Sequence, residues 1–463
     1  MSSNNTPPDA KTAKSSSPRF FFDLGFFGLL ALGAVSTVPQ HFFIGIVIFG
    51  LLPLIIWPHR IVIGHKDVLI NRLVIPFGIY VSYGILALFL FPGLPPDAPR
   101  PANPDLELYL VALLLCAIGV LRASQISSIS HKMQTYLPWL LIVVFLVLTT
   151  VMLSGEQGCR ITALTRLPFI PALVFATLSF LTLLGWSDRQ PWERVLRLSL
   201  LAMSVVVAAG YTGSRGISLA IGIVLLVLAL LAILPRFRTG LPSSAAILMA
   251  LGVGLLGCWI TQEVTGCRIF NRLDTAIRPL SEVRDDTSDV AADTPEISDD
   301  TSELASDTSD VGGDKLAVAR APRDGSIGLR LEMWRASLDA IRTAPIFGHG
   351  SMSQQMIIAE RFGLQHPHAH NQYLSWLVTG GLVLLVIGCV FLASPAFLSI
   401  GMLSADRVII GTATTALWGL SMVFDSFLSV GYFLHYFCFL LGVILALSNE
   451  ARNRIGVDVG QGS

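Results

Sequence analysis

Apolar stretches alternate with short polar connections along almost the whole chain. A helix that crosses a bilayer needs about 20 mostly apolar residues, and this pattern predicts an all-α integral membrane protein. The fold class is a polytopic bundle of about 12 transmembrane helices. The runs lie near residues 20–38, 41–57, 68–92, 106–121, 137–154, 168–186, 195–211, 217–234, 244–264, 373–397, 407–425 and 430–448.

One long polar segment, residues 265–372, interrupts this series of apolar runs. It separates nine predicted helices in residues 20–264 from three in residues 373–448. Polar tails occupy residues 1–19 and 449–463, and the first is rich in Ser, Asn and Pro, which predicts disorder. The long segment is therefore the one large loop of the predicted bundle.

Basic residues orient the predicted helices, because cytoplasmic loops collect Lys and Arg. With the N-terminus placed inside, every inside connection contains at least one base, and most outside connections are poor in bases. Both tails are then expected in the cytoplasm and the large loop outside it. Arg215 is an exception on the outer side, and such exceptions are candidates for function. The inside bases are Arg60, Lys66, Arg122, Lys132, Arg189, Arg194, Arg236, Arg238, Arg407, Arg452 and Arg454.

Composition supports the membrane class. The chain is 53% hydrophobic and 13% charged, with a mean hydropathy of +0.68, whereas a soluble domain needs more charge to cover its surface. The formal net charge is zero, so there is no basic surplus to bind nucleic acid.

Acidic residues are concentrated in residues 281–314, which hold twelve acids against one base, Arg284. The phrase Asp-Thr-Ser-Asp/Glu recurs three times within this tract. Such a tract cannot bury apolar surface, so it predicts a disordered linker. A calcium-binding flap is the alternative, which the absence of EF-hand spacing disfavours.

The six cysteines divide into two groups. Cys159 and Cys267 lie in predicted outside connections, where a bacterial periplasm is oxidising, and this predicts a disulfide between them. Two unpaired thiols near the interface are the alternative. The remaining cysteines fall within predicted spans and are expected to be inert core residues: Cys116, Cys258, Cys389 and Cys438.

An amphipathic helix is predicted near residues 326–343, before Pro345. Arg330 falls at the edge of its apolar stripe, where a guanidinium is out of place unless an anionic group lies nearby. An ordinary pair with Glu332 or with a phospholipid is the alternative. The stripe consists of Leu331, Trp334, Leu338 and Ile341.

Arg215 lies in the sequence Thr212-Gly-Ser-Arg-Gly216, a tight connection that opens the next predicted helix. An arginine together with the backbone N–H groups of a helix N-terminus makes a good phosphate site. The alternative is an arginine that extends to the interface and only marks the topology.

His370 lies directly before a predicted span and is followed by Asn371, which can orient an imidazole or a substrate. An imidazole can accept a proton from a sugar hydroxyl. The alternate spacing of His366, His368 and His370 also suggests a metal site. That reading is disfavoured because no carboxylate or Cys ligand lies nearby and Pro367 disturbs the geometry. Plain interfacial histidines are the third possibility.

Four motifs occur in a fixed order: Thr-Gly-Ser-Arg-Gly, Gly-Leu-Arg-Leu-Glu-Met-Trp, Pro-Ile-Phe-Gly-His-Gly, and His-Ala-His-Asn-Gln-Tyr-Leu followed by Thr-Gly-Gly-Leu. Each is weak alone, but together, over residues 211–382, they resemble the O-antigen ligase family. Its superfamily also holds O-antigen polymerases and protein O-oligosaccharyltransferases. The acidic tract looks like an addition to the family pattern.

The resemblance implies a glycosyltransferase of the GT-C-like kind in the bacterial inner membrane, with its large loop in the periplasm. The implied reaction moves a glycan from undecaprenyl diphosphate to a lipid A–core sugar hydroxyl, with inversion and without metal or cofactor. Membrane lipids are the other expected partners, and nothing indicates the oligomeric state. By resemblance, Arg215 and Arg330 hold the diphosphate and His370 is the base. Further substrate-binding positions are His368, Asn371, Tyr373 and Trp334.

Three other functions remain open. A polymerase or a protein O-oligosaccharyltransferase would use the same lipid-linked donor with a different acceptor. A lipid or polysaccharide transporter would need ionisable residues within the spans. The predicted spans are nearly free of these apart from Arg72, Asp425 and His435, and no paired discontinuous helices are evident.

Overall fold

A computed structural model gives the architecture of most of the bundle. Regular structure in the described residues is helical, apart from one isolated bridge between Ile400 and Met402. The all-α class is therefore confirmed for this part of the chain. The described residues are 18–32, 44–57, 78–80, 82, 104–126, 128–154, 169–265, 327–350, 357, 369–400, 402–429 and 431–460.

The helices of the described residues are numbered in chain order. Three of them, α2, α6 and α12, are partly π-helical, and α12 consists of three consecutive segments. They are α1 (Pro18–Leu32), α2 (Ile46–Ile56), α3 (Pro104–Gln125), α4 (Ile129–Leu153), α5 (Phe169–Leu181), α6 (Pro191–Tyr211), α7 (Arg215–Leu231), α8 (Ser244–Thr265), α9 (Ile327–Thr343), α10 (Gln372–Leu392), α11 (Ser394–Leu398), α12 (Ser404–Arg407, Val408–Thr414, Thr415–Ser421) and α13 (Gly431–Gly460).

Five of the described helices are long and apolar enough to cross a membrane: α4, α6, α8, α10 and the part Phe433–Ala451 of α13. Helices α2, α5 and α7 and the part Leu110–Gln125 of α3 are apolar but shorter. These helices support the membrane-protein class. The number of twelve spans and the periplasmic position of the large loop stay predictions.

The centre of the bundle is formed by α5 and α13. All residues from Ile170 to Leu181 in α5 are buried, as are most residues of α13 from Phe433 to Ser448. Helices α3 and α13 approach closely at Gly119 and Gly442, where a Cβ atom would overlap backbone atoms of the facing helix. Small residues allow such close backbone contact between membrane helices.

The outer helices expose apolar side chains. Val143 on α4 and Val253 on α8 are each more than half exposed. Continuous apolar faces of this kind are costly in water and favourable against lipid tails. Cys389 on α10 is also exposed, so the expectation of a core position was wrong for this cysteine. The three other described cysteines are buried as expected.

Charged residues are buried at two places within the bundle, although the sequence analysis predicted spans that are nearly free of ionisable residues. Asp23 lies within α1 and accepts hydrogen bonds from Arg122 Nη2 at 2.7 Å and Lys132 Nζ at 2.9 Å. Arg197 lies within α6 and donates to the backbone oxygens of Thr182, Leu184 and Gln134. The prediction of nearly charge-free spans was wrong here, because groups from other parts of the bundle form hydrogen bonds with these side chains and offset the cost of burial.

Candidate active site

A histidine and an aspartate from distant parts of the chain meet at one end of the bundle. His370 Nδ1 lies 3.1 Å from Asp425 Oδ1. The His370 side chain is 23% exposed and that of Asp425 10%, so the pair is only partly open to substrate. His370 has a φ of 52°, in the left-handed region that His adopts more readily than most residues.

The segment around Asp425 is fixed to the first turn of α10. The backbone N–H of Ser426 donates to Asp425 Oδ1 at 2.8 Å. The backbone N–H of Gln372 donates to Met422 O, and its side-chain oxygen accepts from Leu428 N. These contacts hold the carboxylate in place against the imidazole.

Asn371 is the N-cap of α10. Its side-chain oxygen accepts hydrogen bonds from the backbone N–H groups of Tyr373 and Leu374, at 3.0 and 3.1 Å. Such a cap satisfies donors at the helix start that have no partner in the helix. The Tyr373 hydroxyl donates to Gly419 O on α12. Both side chains therefore have structural contacts, and their assignment to substrate binding stays a prediction.

Helix α9 contacts the pair through one of its faces. Arg330 Nη1 donates to Phe424 O at 3.1 Å, and Trp334 Nε1 donates to Ala369 O at 2.8 Å. The two side chains are one helical turn apart, so they project from the same face. Their acceptors are the carbonyls directly before Asp425 and His370. One face of α9 thus holds the backbone on both sides of the pair.

Two residues of the predicted stripe on α9 do not pack, while Ile341 is half-buried. Leu331 and Leu338 are exposed, whereas Met333, Ala336 and Ser337 are buried. The packed face therefore shares Trp334 with the predicted stripe but is displaced from its two leucines.

Arg215 begins α7, as the sequence predicted, and its side chain is exposed. The neighbouring Gly216 lies against the side chain of Phe424, so closely that a Cβ atom would overlap it. Within the described residues the Ser214 side chain makes no cap hydrogen bond at this helix start. The Arg215 turn, α9 and His370 therefore converge on one short segment, Phe424–Asp425.

Two of the sequence motifs combine into a clasp, defined as the turn 345–350 docked on a break in α10. Gly380 and Gly381 interrupt α10 with non-helical backbone angles. At this break His349 N and Gly350 N donate to the carbonyls of Val378 and Thr379, both at 2.8 Å, and Leu382 N donates to Pro345 O at 2.8 Å. The clasp fixes α9, and with it Arg330, relative to the helix that begins beside His370.

The sequence singles out Asp425 only as one of a few ionisable residues within the predicted spans. It is 55 positions from His370, and no local pattern links the two. Several predicted features lie outside the described residues: His366 and His368, the Cys159–Cys267 disulfide and the acidic tract 281–314. They stay predictions, as does the metal alternative for the three histidines.

Comparison with known proteins supports the resemblance. The family model described as O-antigen ligase matches residues 198–389, which include the Arg215 turn, α9 and His370 but not Asp425. A curated relative from Haemophilus influenzae, described as an uncharacterized protein, is 37% identical over 86 residues. That alignment covers 16% of this chain and 21% of the relative, so the chain spans about a fifth of the relative's length. The match supports the predicted resemblance to the O-antigen ligase family over residues 198–389.

Proposed function

We propose, from the premise that residues 198–389 form an O-antigen ligase domain, that the protein transfers a glycan from undecaprenyl diphosphate to a sugar hydroxyl of lipid A–core. The observation that carries the proposal is the His370–Asp425 pair, with Arg330 and Trp334 bonded to the carbonyls directly before it. A base beside a cation suits the transfer of an anionic lipid-linked sugar.

His370 acts as the base in the proposed reaction. In the tautomer whose Nδ1–H donates to Asp425, Nε2 is the basic nitrogen, and it accepts the proton of the acceptor hydroxyl in the proposed step. The acceptor oxygen attacks the anomeric carbon while the bond from that carbon to the diphosphate oxygen breaks. The diphosphate leaves with the electron pair, so the anomeric centre inverts. The carboxylate stabilises the imidazolium that forms.

Arg215 and Arg330 meet the charge that gathers on the leaving diphosphate. Guanidinium groups bind phosphate through paired hydrogen bonds. The first backbone N–H groups of α7 lie at the same turn as Arg215 and favour an anion there. Removing one such donor in an enzyme typically costs 10²–10³ in rate. This electrostatic assistance is the role proposed for both arginines.

The test is transfer by the purified protein in lipid vesicles, with a lipid-linked glycan donor and lipid A–core acceptor. His370→Ala should lower kcat by about 10²–10⁴, the usual contribution of a general base. His131→Ala, at an exposed position in the first turn of α4, should leave the rate unchanged. Full transfer by His370→Ala would eliminate this residue as the base.

The acceptor is tested separately in a deletion strain. Loss of all polymer on lipid A–core, with lipid-linked polymer accumulating, is expected for a ligase. A core that carries a single repeat unit would instead indicate a polymerase. An unchanged lipopolysaccharide profile with lost protein glycosylation would indicate transfer to protein.

A further inference from the structure

A cleft lies between the ends of three helices, α4, α6 and α8. It has a volume of about 170 Å³. An apolar cavity of about 150 Å³ is large enough for a benzene ring, so the cleft has room for one isoprene-sized group. It is lined by Thr149, Met152, Leu153, Tyr211, Ile260, Thr261, Val264 and Thr265.

The hydroxyl groups on the cleft wall are already engaged with the protein. Thr149 Oγ1 donates to Phe145 O and lies 2.8 Å from the Tyr211 hydroxyl. Thr261 donates to Gly257 O, and Thr265 donates to Thr261 O. The threonine side chains therefore turn their hydroxyls toward their own helices, and an occupant need not supply polar partners. This chemistry favours a hydrocarbon ligand.

The rim of the cleft is apolar and exposed. Leu153, Ile260 and Val264 on its rim are 61%, 48% and 67% exposed, while Tyr211 in its depth is buried. These rim residues belong to helices that are long and apolar enough to span the membrane. A long hydrocarbon chain can therefore enter the cleft at one end and remain in the bilayer along the rest of its length.

The position of the cleft links it to the proposed diphosphate site. Tyr211 lines the cleft and Arg215 follows four residues later, in a turn that folds back through a hydrogen bond from Ser214 N to Ala208 O. On its other side the turn packs through Gly216 against Phe424, next to Asp425. The Arg215 turn therefore adjoins the apolar cleft on one side and the segment that contains Asp425 on the other.

We infer that the cleft receives the isoprene unit next to the diphosphate of the polyprenyl-linked donor. The inference rests on the proposed function and adds to it a direction for the bound donor. Its sugar lies toward His370, its diphosphate at Arg215, and its hydrocarbon chain leaves past Tyr211 between α4 and α8.

The activity test compares two donors that carry the same glycan, one on geranyl diphosphate and one on methyl diphosphate. The native protein should favour the geranyl donor at least tenfold in kcat/KM. Val264→Trp and Thr261→Trp fill the cleft and should abolish most of this preference, with little change for the methyl donor. Val253→Trp is the matched control, because Val253 lies three turns away on the same face of α8 and is also exposed.

Retention of the geranyl preference in both cleft variants would overturn the inference while the proposed function stands. Absence of transfer from every donor by the native protein would instead count against the proposed function.

A binding measurement tests the cleft independently of transfer activity. A photoreactive group on the first isoprene unit of undecaprenyl diphosphate should label cleft residues, and unlabelled undecaprenyl diphosphate should compete. Equal competition by phospholipid would show a general lipid groove and contradict the inference.

Discussion

At the scale of single residues, the site depends on how His370 is held. Its left-handed backbone places it just before the Asn371 cap, and its Nδ1 faces Asp425. A second group bonded to one ring nitrogen sets the tautomer and the orientation of the other. Asp425 is thus a positioning residue, whose effect is exerted through the imidazole.

Asp425→Asn keeps a side chain of the same shape and removes its charge. We expect kcat to fall about 10–100-fold, the usual cost of losing such a supporting partner, with the donor KM nearly unchanged. Steady-state transfer kinetics in vesicles measure both quantities, and thermal melting in detergent checks that the fold is retained.

A double variant gives the sharper result. Asp425→Ala should lower the activity of the native protein but not that of His370→Ala, because residues that act as a unit are not additive. If Asp425→Ala lowered both activities by the same factor, the aspartate would act independently of His370.

At the scale of elements, the clasp between the turn 345–350 and α10 decides where α9 sits. Gly348 and Gly381 have φ values of 67° and 62°, which favour glycine. A Cβ on Gly381 would also overlap the backbone of Ile346. The clasp therefore depends on glycine for both its backbone angles and its close contact. The two motifs that form it contribute to the site by holding α9, and with it Arg330, in place.

Gly381→Ala should open the clasp. Strain at a left-handed position costs of order 1–3 kcal/mol, and the displaced α9 should also lower transfer activity. Gly252→Ala on α8 is the matched control, since no atom lies within 4 Å of its added Cβ and alanine favours a helix by about 1 kcal/mol. Thermal melting and transfer assays should separate the two variants, and equal effects would refute the role of the clasp.

At the scale of the whole molecule, the site and the buried ion cluster lie at different ends of the bundle. Lys132 in the cluster and Thr149 in the cleft are both on α4 and about 26 Å apart along it. The cluster of Asp23, Arg122 and Lys132 joins α1, α3 and α4. Buried ion pairs need not stabilise a fold overall, but the removal of one partner leaves an uncompensated charge.

Asp23→Asn should therefore lower the free energy of unfolding by about 3–5 kcal/mol. Asp339→Asn is the control, because the Asp339–Arg342 pair is exposed and such pairs contribute at most about 1 kcal/mol. Adding Arg122→Met to Asp23→Asn should recover part of the loss. Melting temperatures in detergent measure these effects, and equal values for Asp23→Asn and Asp339→Asn would contradict the prediction.

Local patterns along the chain predicted a large part of this protein. Apolar runs indicated the membrane helices because lipid requires continuous apolar surface and internally satisfied backbone groups. The helix expected near residues 326–343 corresponds to α9, Ile327–Thr343, because the proline and the apolar period are local signals. The order of four motifs indicated a resemblance to the O-antigen ligase family, which the family model supports over residues 198–389, and made Arg215, Arg330 and His370 the candidate site residues.

Contacts between distant segments decided the rest. The pairing of His370 with Asp425, the burial of Asp23 and the break in α10 under the turn 345–350 all join residues that no periodic pattern relates. The packed face of α9 likewise depends on its fit to α10, so Leu331 and Leu338 of the predicted stripe are exposed while Trp334 donates to Ala369 O. By itself the sequence determined which elements form and which residue types carry the chemistry, since these follow from local composition and spacing. Only the tertiary structure decided which side chains meet, because each such contact depends on the shape of two surfaces at once.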